Sequence, residues 1–428
     1  MNNSPQVSVT SLNVWKNWYI VAVLTLVYVF NFIDRQIISV LQEPIREELN
    51  LTDTQLGLLQ GLTFALFYVI MGIPLARWAD VGVRRNVVAL AVGTWSIMTA
   101  LCGVAQNYLH LLLARVGVGI GEAGGSPPSH SIISDLFPPG KRALPLAVYS
   151  SGITFGVFIA YVFGAWVSDN FGWRIVFIAL GIPGILLALL VRFTVNEPPR
   201  GQYDGKGSDV APPPMRTVVK QLYASPTFVH LSIAASLHVF VSYGVSAFLV
   251  SHYVRSFGIP SDEISRVALP LGFIIGLGGM IGNFGGGYLS DRLSLKDVRW
   301  ALWIPAIANL LTVPFAAIAI LSRDFYFSLM MYILPLTFAY IYLGPTLATM
   351  HSLVQPRMRA MTSAVFFFMA NLIGLGFGPT IVGAVSDMLE PNYGNDSLRY
   401  AIVLTFFVNI WSAVHYWIAA KHLRQELN

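Results

Sequence analysis

Charge is what this sequence has least of. Only 11% of its 428 residues are Asp, Glu, Lys or Arg, against about a quarter in soluble domains, which excludes a surface built for water. Cysteine is almost missing: Cys102 stands alone, so no intramolecular disulfide can form and redox chemistry is not expected. No Walker-type phosphate loop, no Ser–His–Asp order and no metal-ligand spacing is visible. That argues against ATP-driven transport and against hydrolytic or metal chemistry, and no cofactor is expected.

What the chain has is apolar surface. Hydrophobic residues make up 55% and aromatics 13%, with a mean hydropathy of +0.64. Windows of about 20 apolar residues, enough to cross a hydrocarbon core about 30 Å thick, recur at 17–42, 54–77, 86–105, 108–133, 143–168, 174–194, 227–253, 268–290, 298–321, 325–352, 360–387 and 398–421. The pattern predicts an all-α integral membrane protein with twelve transmembrane helices. The first 16 residues are polar, and no cleaved signal peptide is expected.

A net charge of +5 and a pI of 9.2 could point to nucleic acid, but the placement of the basic residues points elsewhere. With both termini cytoplasmic, Arg46, Arg174, Arg255, Arg266, Arg323 and Arg399 fall outside. Arg35 and Arg115 fall within the core, and the remaining eighteen Lys and Arg lie on the cytoplasmic side. That excess sets orientation, so no nucleic-acid partner is implied.

The chain repeats itself. "ARWADVGVRR" (76–85) after the second window echoes "GYLSDRLSLK" (287–296) after the eighth, and "GAWVSD" (164–169) echoes "GAVSD" (383–387). Two six-helix halves duplicated in parallel fit these offsets. They predict an N-terminal bundle over 1–195, a cytoplasmic linker over 196–225 and a C-terminal bundle over 226–428. The linker is rich in Gly, Pro and charge, and its "MRTVVKQLY" segment has the pattern of a short interfacial helix.

Two windows carry charges that a membrane span should not hold. "YVFNFIDRQIISVL" (28–41) places Asp34 beside Arg35, and "LLLARVGVGIGEAGGSPPSH" (111–130) holds Arg115 and Glu122. Each charge costs roughly 2.5–3.5 kcal/mol at the bilayer centre, so a role is expected for each. Arg115 and Glu122 are two helical turns apart and share a face. Gly117, Gly119 and Gly121 leave the helix bare for a neighbouring helix or a substrate. Burial disfavours an ionised carboxylate and a nearby arginine favours it. A carboxyl held between the two can take and release a proton, making Asp34 and Glu122 coupling candidates. Arg35 and Arg115 can grip an anion through the planar guanidinium fork. A purely structural ion cluster is the competing reading.

The ordered motifs resemble the major facilitator superfamily of secondary transporters, over the whole chain. The signature following its second helix begins cleanly in the second half, with Gly287, Leu289, Asp291 and Arg292. The first half keeps Asp80, Arg84 and Arg85 but has Ala76 and Val83 where glycines belong. "GWRIVF" (172–177) and "NEPPR" (196–200) are further marks of the family. The resemblance implies the major facilitator fold and a cavity lined by the first and fourth helices. Depth then pairs Asp34 with Arg115 and Arg35 with Glu122. It also implies a conformational latch of the outward-open state at Asp80, Arg84, Arg85, Gly287, Asp291 and Arg292. "FNFIDR", "GVGIGEA" and "IISDLF" look like the Spinster branch, associated with lysolipids and sphingolipid phosphates. A branch that carries sugar acids and other small carboxylates shares the Asp-Arg and Glu-Ala pairs. The implied protein is a monomeric multi-pass transporter of the cell (inner) membrane. Its partners would be protons, the bilayer and a lipid or small-molecule anion.

The second half offers less. His238 reads as a hydrogen-bonded packing residue or a second coupling group. Tyr243, Tyr340, Tyr342, Asn283 and Asn371 are polar groups that need partners in apolar helices. Pro127 and Pro128 together depart from the family pattern and could change the kink of the fourth helix. An acyltransferase built on His130 and Asp135 has only one spacing in its favour, and a channel reading has no use for the latch motifs.

Overall fold

The structure is a computed structural model that describes residues 11–203, 215–355 and 358–427. Among these residues it is helical throughout, with no strand. Among the described residues, ten helical stretches are long and apolar enough to cross a membrane. The fourth expected window is absent from that set because its helix is broken, and the stretch 361–426 spans the last two windows.

The first half begins with α1 (Ser11–Val40) and the short α2 (Gln42–Leu49), which ends on Asn50 in the left-handed region at φ 53°. The second window is divided. α3 (Asp53–Gln60) starts from a Thr52/Gln55 capping box and stops at Gly61, where α4 (Leu62–Val81) begins. α5 (Arg84–Cys102) follows, then α6 (Tyr108–Glu122), capped by Asn107, whose side-chain oxygen accepts the His110 N–H at 2.9 Å. The chain turns at Ala123–Gly125 before α7 (Ser126–Leu136). Pro127 and Pro128 sit in the first turn of α7, where a missing N–H costs nothing. The double proline therefore opens a new helix and does not kink an old one. α8 (Ala143–Ile159) passes through a π-turn at Ala160–Gly164 into α9 (Ala165–Phe171), and α10 (Trp173–Thr194) closes the half.

Part of the expected linker, 204–214, lies outside the described residues. Its tail does form a helix, α11 (Met215–Ala224), which buries Val218 and Leu222 against α12 (Pro226–Phe257) and the helix Arg359–Ala370. The second half continues through α13 (Ser265–Ser294), α14 (Trp300–Leu321), α15 (Phe325–Tyr340) and α16 (Leu343–Ser352). It ends with α17 (Arg359–Ala370), a π-turn at Asn371–Phe377, α18 (Gly378–Tyr393), α19 (Ser397–Phe406) and α20 (Val408–Leu427). One π-turn ends on Gly164, the first residue of "GAWVSD", and the other ends at Phe377, ahead of "GAVSD".

Glu426 near the end of α20 accepts from Ser225 and Thr227 at the start of α12. Arg255 near the end of α12 reaches Glu43 in α2. The last helix therefore ends on the side where α1 begins, and α2 lies at the opposite end. Contacts between the halves gather at the α2 end. There Arg255 is buried in a fork with Glu43 and Asp53, both oxygens of Asp53 lying 2.7 Å from its nitrogens. Ser251 donates to Gln42 at 2.8 Å, and Thr380 holds the Leu62 N–H at 3.3 Å. Backbone meets backbone there: a Cβ on Gly383 would lie 2.1 Å from the Asp53 carbonyl oxygen, and one on Gly57 would lie 2.3 Å from that of Pro379. One apolar cluster, with Ile37, Leu41, Val245 and Phe248, spans both halves. A cluster around Leu231, Leu302 and Tyr416 stays within the second half.

Candidate functional site

α1 runs unbroken to Val40, which places Asp34 and Arg35 two turns inside the closed α2 end. α6 packs on α5 and α4, and its glycines let the backbones approach closely. A Cβ on Gly121 would meet the Trp95 nitrogen of α5 at 2.6 Å, and one on Gly119 the Phe64 carbonyl oxygen of α4 at 3.0 Å. The bare surface thus serves α4 and α5, while Arg115 and Glu122 meet α1 through their side chains.

Arg35 Nε donates to Glu122 Oε2 at 2.6 Å, the pair expected from depth. Glu122 is buried and the Arg35 side chain is 12% exposed. The second expected pair is not an ion pair: Arg115 Nη1 donates to the backbone carbonyl of Asp34 at 3.2 Å. Asp34 Oδ1, Glu122 Oε1 and Arg115 Nε are buried with no hydrogen-bond partner. Buried polar atoms are nearly always satisfied. Three unpaired atoms around one ion pair leave capacity for a water or ligand atom to complete the network.

The arginines border a small cavity between the halves. Its first wall is Arg35, Gln36 and Ser39 of α1, Gln60 of α3, Phe64 of α4 and Arg115 of α6. The facing wall is Tyr243, Ser246 and Ala247 of α12, with Leu375 and Pro379. Phe64 lies between the two guanidinium groups, 5.4 Å from that of Arg35 and 5.2 Å from that of Arg115, and Tyr68 is 4.7 Å from Arg35. Aromatic faces attract cations in such geometry and hold the arginines in place without using their N–H groups. Phe64, Tyr68 and Gln60 were not singled out in the sequence. The first two sit in an apolar run whose rings could equally face lipid, and Gln60 precedes a glycine like any loop residue.

The latch residues separate into two sets. Arg84 is buried and binds Glu197 at 2.7 Å, the Pro198 carbonyl at 2.9 Å, Ser131 at 2.8 Å and the Asp135 carboxylate. Arg85 donates its N–H to Glu197 and a guanidinium N–H to the Val195 carbonyl. In this conformation both arginines tie "NEPPR" to α5 and α7 within the first half. Asp80, Asp291 and Arg292 are exposed, Arg292 reaching only Tyr288 at 2.7 Å, and a Cβ on Gly287 would meet nothing. Asp135 is taken by Arg84 and by the Gly201 N–H, while His130 is exposed against the Tyr149 ring. The two do not form a catalytic pair.

In the second half, His238 is buried on Asn309 at 2.7 Å, with the Tyr342 ring 4.1 Å away, and Asn309 passes the contact to Ser412. That is a satisfied packing network. Tyr243 lines the cavity, whereas Asn283 is exposed. Cys102 is a buried free thiol.

Comparison with known proteins agrees with this architecture. The Major Facilitator Superfamily profile matches residues 24–379. A crystal structure of a bacterial homologue of the human lysosomal transporter Spinster, in an inward-facing and unoccupied conformation, superposes with a TM-score of 0.88. It is 33% identical and covers 96% of this chain and 98% of its own. An MFS-type efflux pump of Mycolicibacterium smegmatis is 32% identical over 96% of this chain and 94% of its own length. Protein spinster homolog 3 of Danio rerio is 25% identical over 97% and 87%. The chain is a multi-pass membrane transporter that belongs to the Major Facilitator Superfamily, and within it to the Spinster type.

Proposed function

We propose that the protein is a proton-coupled secondary transporter moving an amphipathic anion, a lysolipid or sphingolipid phosphate, by alternating access. The observation that carries this is the Arg35–Glu122 pair at the closed end of a cavity lined by both halves. A proton on Glu122 cancels the charge that holds Arg35, and the freed guanidinium takes the anionic head. Release of the anion lets Glu122 lose its proton and recapture the arginine. Asp34, beside Arg115, forms the second proton-binding position, and Arg115 the second anion contact. The polar first wall suits a headgroup; Phe64, Leu375 and Pro379 suit the start of an acyl chain.

In this reading the chain makes twelve crossings in two bundles, 1–195 and 226–428, joined by the linker 196–225, with both termini in the cytoplasm and the protein a monomer in the inner membrane. The α2 end is then external and closed, and the cavity faces inward, as in the bacterial Spinster homologue. Asp80 and Asp291, exposed here, find partners across the halves only when the cytoplasmic end closes.

Transport of lysophosphatidic acid and of gluconate by reconstituted protein tests the substrate class. Saturable lysophosphatidic acid flux that depends on a pH gradient is expected. Flux of gluconate alone would replace the lipid reading with that of a small-carboxylate symporter.

A further inference from the structure

The last residue of α3 is a buried amide that lines the cavity with half of its hydrogen-bonding capacity unused. Gln60 is 6% exposed, and its Oε1 accepts the Ser39 hydroxyl at 2.6 Å. Its Nε2, a double donor, is buried without a partner, and the residue lines the same cavity as Arg35 and Arg115. Ser39 fixes the amide plane, so the N–H groups are oriented before any ligand arrives.

A buried donor of this kind costs roughly 1–3 kcal/mol while unpaired, and the helix break at Gly61 holds it at the end of the cavity and away from any loop surface. The groups around it are donors too. Arg115 Nε is unpartnered, and the two guanidinium groups already favour an anion. An amide donor adds nothing that a guanidinium does not already give to a phosphate. It can read a neutral oxygen next to that phosphate, a hydroxyl or an ester carbonyl, which would otherwise be stripped of water without a partner.

We infer that Gln60 is a specificity-determining substrate contact that donates to a neutral oxygen carried close to the anionic group of the transported molecule. This rests on the anion-transport reading above but not on the anion being a lipid. The ligand class is an oxygenated anion, such as a glycerol-linked phosphate or a hydroxy acid, in preference to a bare alkyl phosphate or alkyl carboxylate. Hydroxyl-bearing ligands lose most when a site's matching donor is removed.

The test uses the full-length protein in nanodiscs and two ligand pairs: lysophosphatidic acid against dodecyl phosphate, and gluconate against hexanoate. Wild type is expected to bind the oxygenated member of at least one pair about three- to tenfold more tightly, the size of one neutral hydrogen bond. Gln60→Leu is expected to erase that preference while its affinity for the bare partner stays within twofold. Gln60→Glu, close in shape but carrying a negative charge, is expected to weaken both members. A thermal melt of each variant reports folding, and retained binding of the bare anion is itself evidence of a folded site. A preference confined to the gluconate pair supports Gln60 and removes the lipid reading. An unchanged preference in Gln60→Leu, or no preference by wild type in either pair, overturns the role of Gln60 and leaves the lipid reading to be judged by transport.

Discussion

Asp169 and Asp387 make one contact twice, from opposite halves of the chain. The Asp169 carboxylate accepts the backbone N–H groups of Ile264 and Ser265, both at 2.9 Å, where α13 begins. The Asp387 carboxylate accepts those of Asp53 and Thr54, at 2.9 and 2.8 Å, where α3 begins. Each aspartate caps a helix of the other half. A carboxylate at a helix N-terminus satisfies unpaired donors and meets the positive end of the helix dipole. The closed α2 end is therefore held by two related caps together with the buried Arg255 fork.

Replacing either aspartate with Ala should weaken closure by about 0.5–2 kcal/mol, the usual worth of an N-cap. Replacing both should shift the population toward opening at that end. Spin labels at Phe171 and Tyr393, both exposed near that end, would report longer distances in Asp169→Ala/Asp387→Ala. Unchanged distances would mean that the caps do not hold the closed state.

Steric contact should matter there as much as charge. A Cβ on Gly383 would press on backbone, the Asp53 carbonyl at 2.1 Å, so α3 and α18 must separate to admit it. Gly383→Ala is expected to lengthen the same label distances without removing any polar contact. If the distances hold and the melting temperature falls, the helices have yielded elsewhere.

Arg84 and Asp80 come from one motif but should behave differently. Arg84→Ala leaves Asp135 and Glu197 without the Arg84 guanidinium and should cost about 1–3 kcal/mol of stability, as losing charged hydrogen bonds at a half-buried site does. Asp80 is exposed, and Asp80→Asn should change thermal stability by no more than about 0.5 kcal/mol while slowing transport turnover. Equal melting shifts in the two variants would contradict the separation.

These relationships show which features could be read before the structure and which could not. Asp34, Arg35, Arg115 and Glu122 stood out because a charge inside an apolar window carries its own penalty. The helical class followed from windows too long and too apolar for anything else. "GAWVSD" and "GAVSD" were visible as a repeat, but their function lies in a partner helix from the other half that no local pattern points to. The Arg115–Asp34 pairing failed for a related reason. Depth put the two side by side, but the guanidinium donates to a backbone carbonyl and not to the carboxylate, and every residue has such a carbonyl that no sequence marks. Phe64, Tyr68 and Gln60 needed the cavity before they could be distinguished from lipid-facing rings or a helix end.

The most direct test of the account is proton movement by reconstituted wild type and Glu122→Gln in liposomes that enclose a pH-sensitive dye. Glutamine keeps the shape and a carbonyl acceptor for Arg35 but cannot take up the proton. Lysophosphatidic acid should drive a pH change through wild type and none through Glu122→Gln, with the melting temperature of the variant close to that of wild type. A variant that still moves protons with the lipid, or one that simply unfolds, would contradict the claim that the Arg35–Glu122 pair couples the proton to the anion.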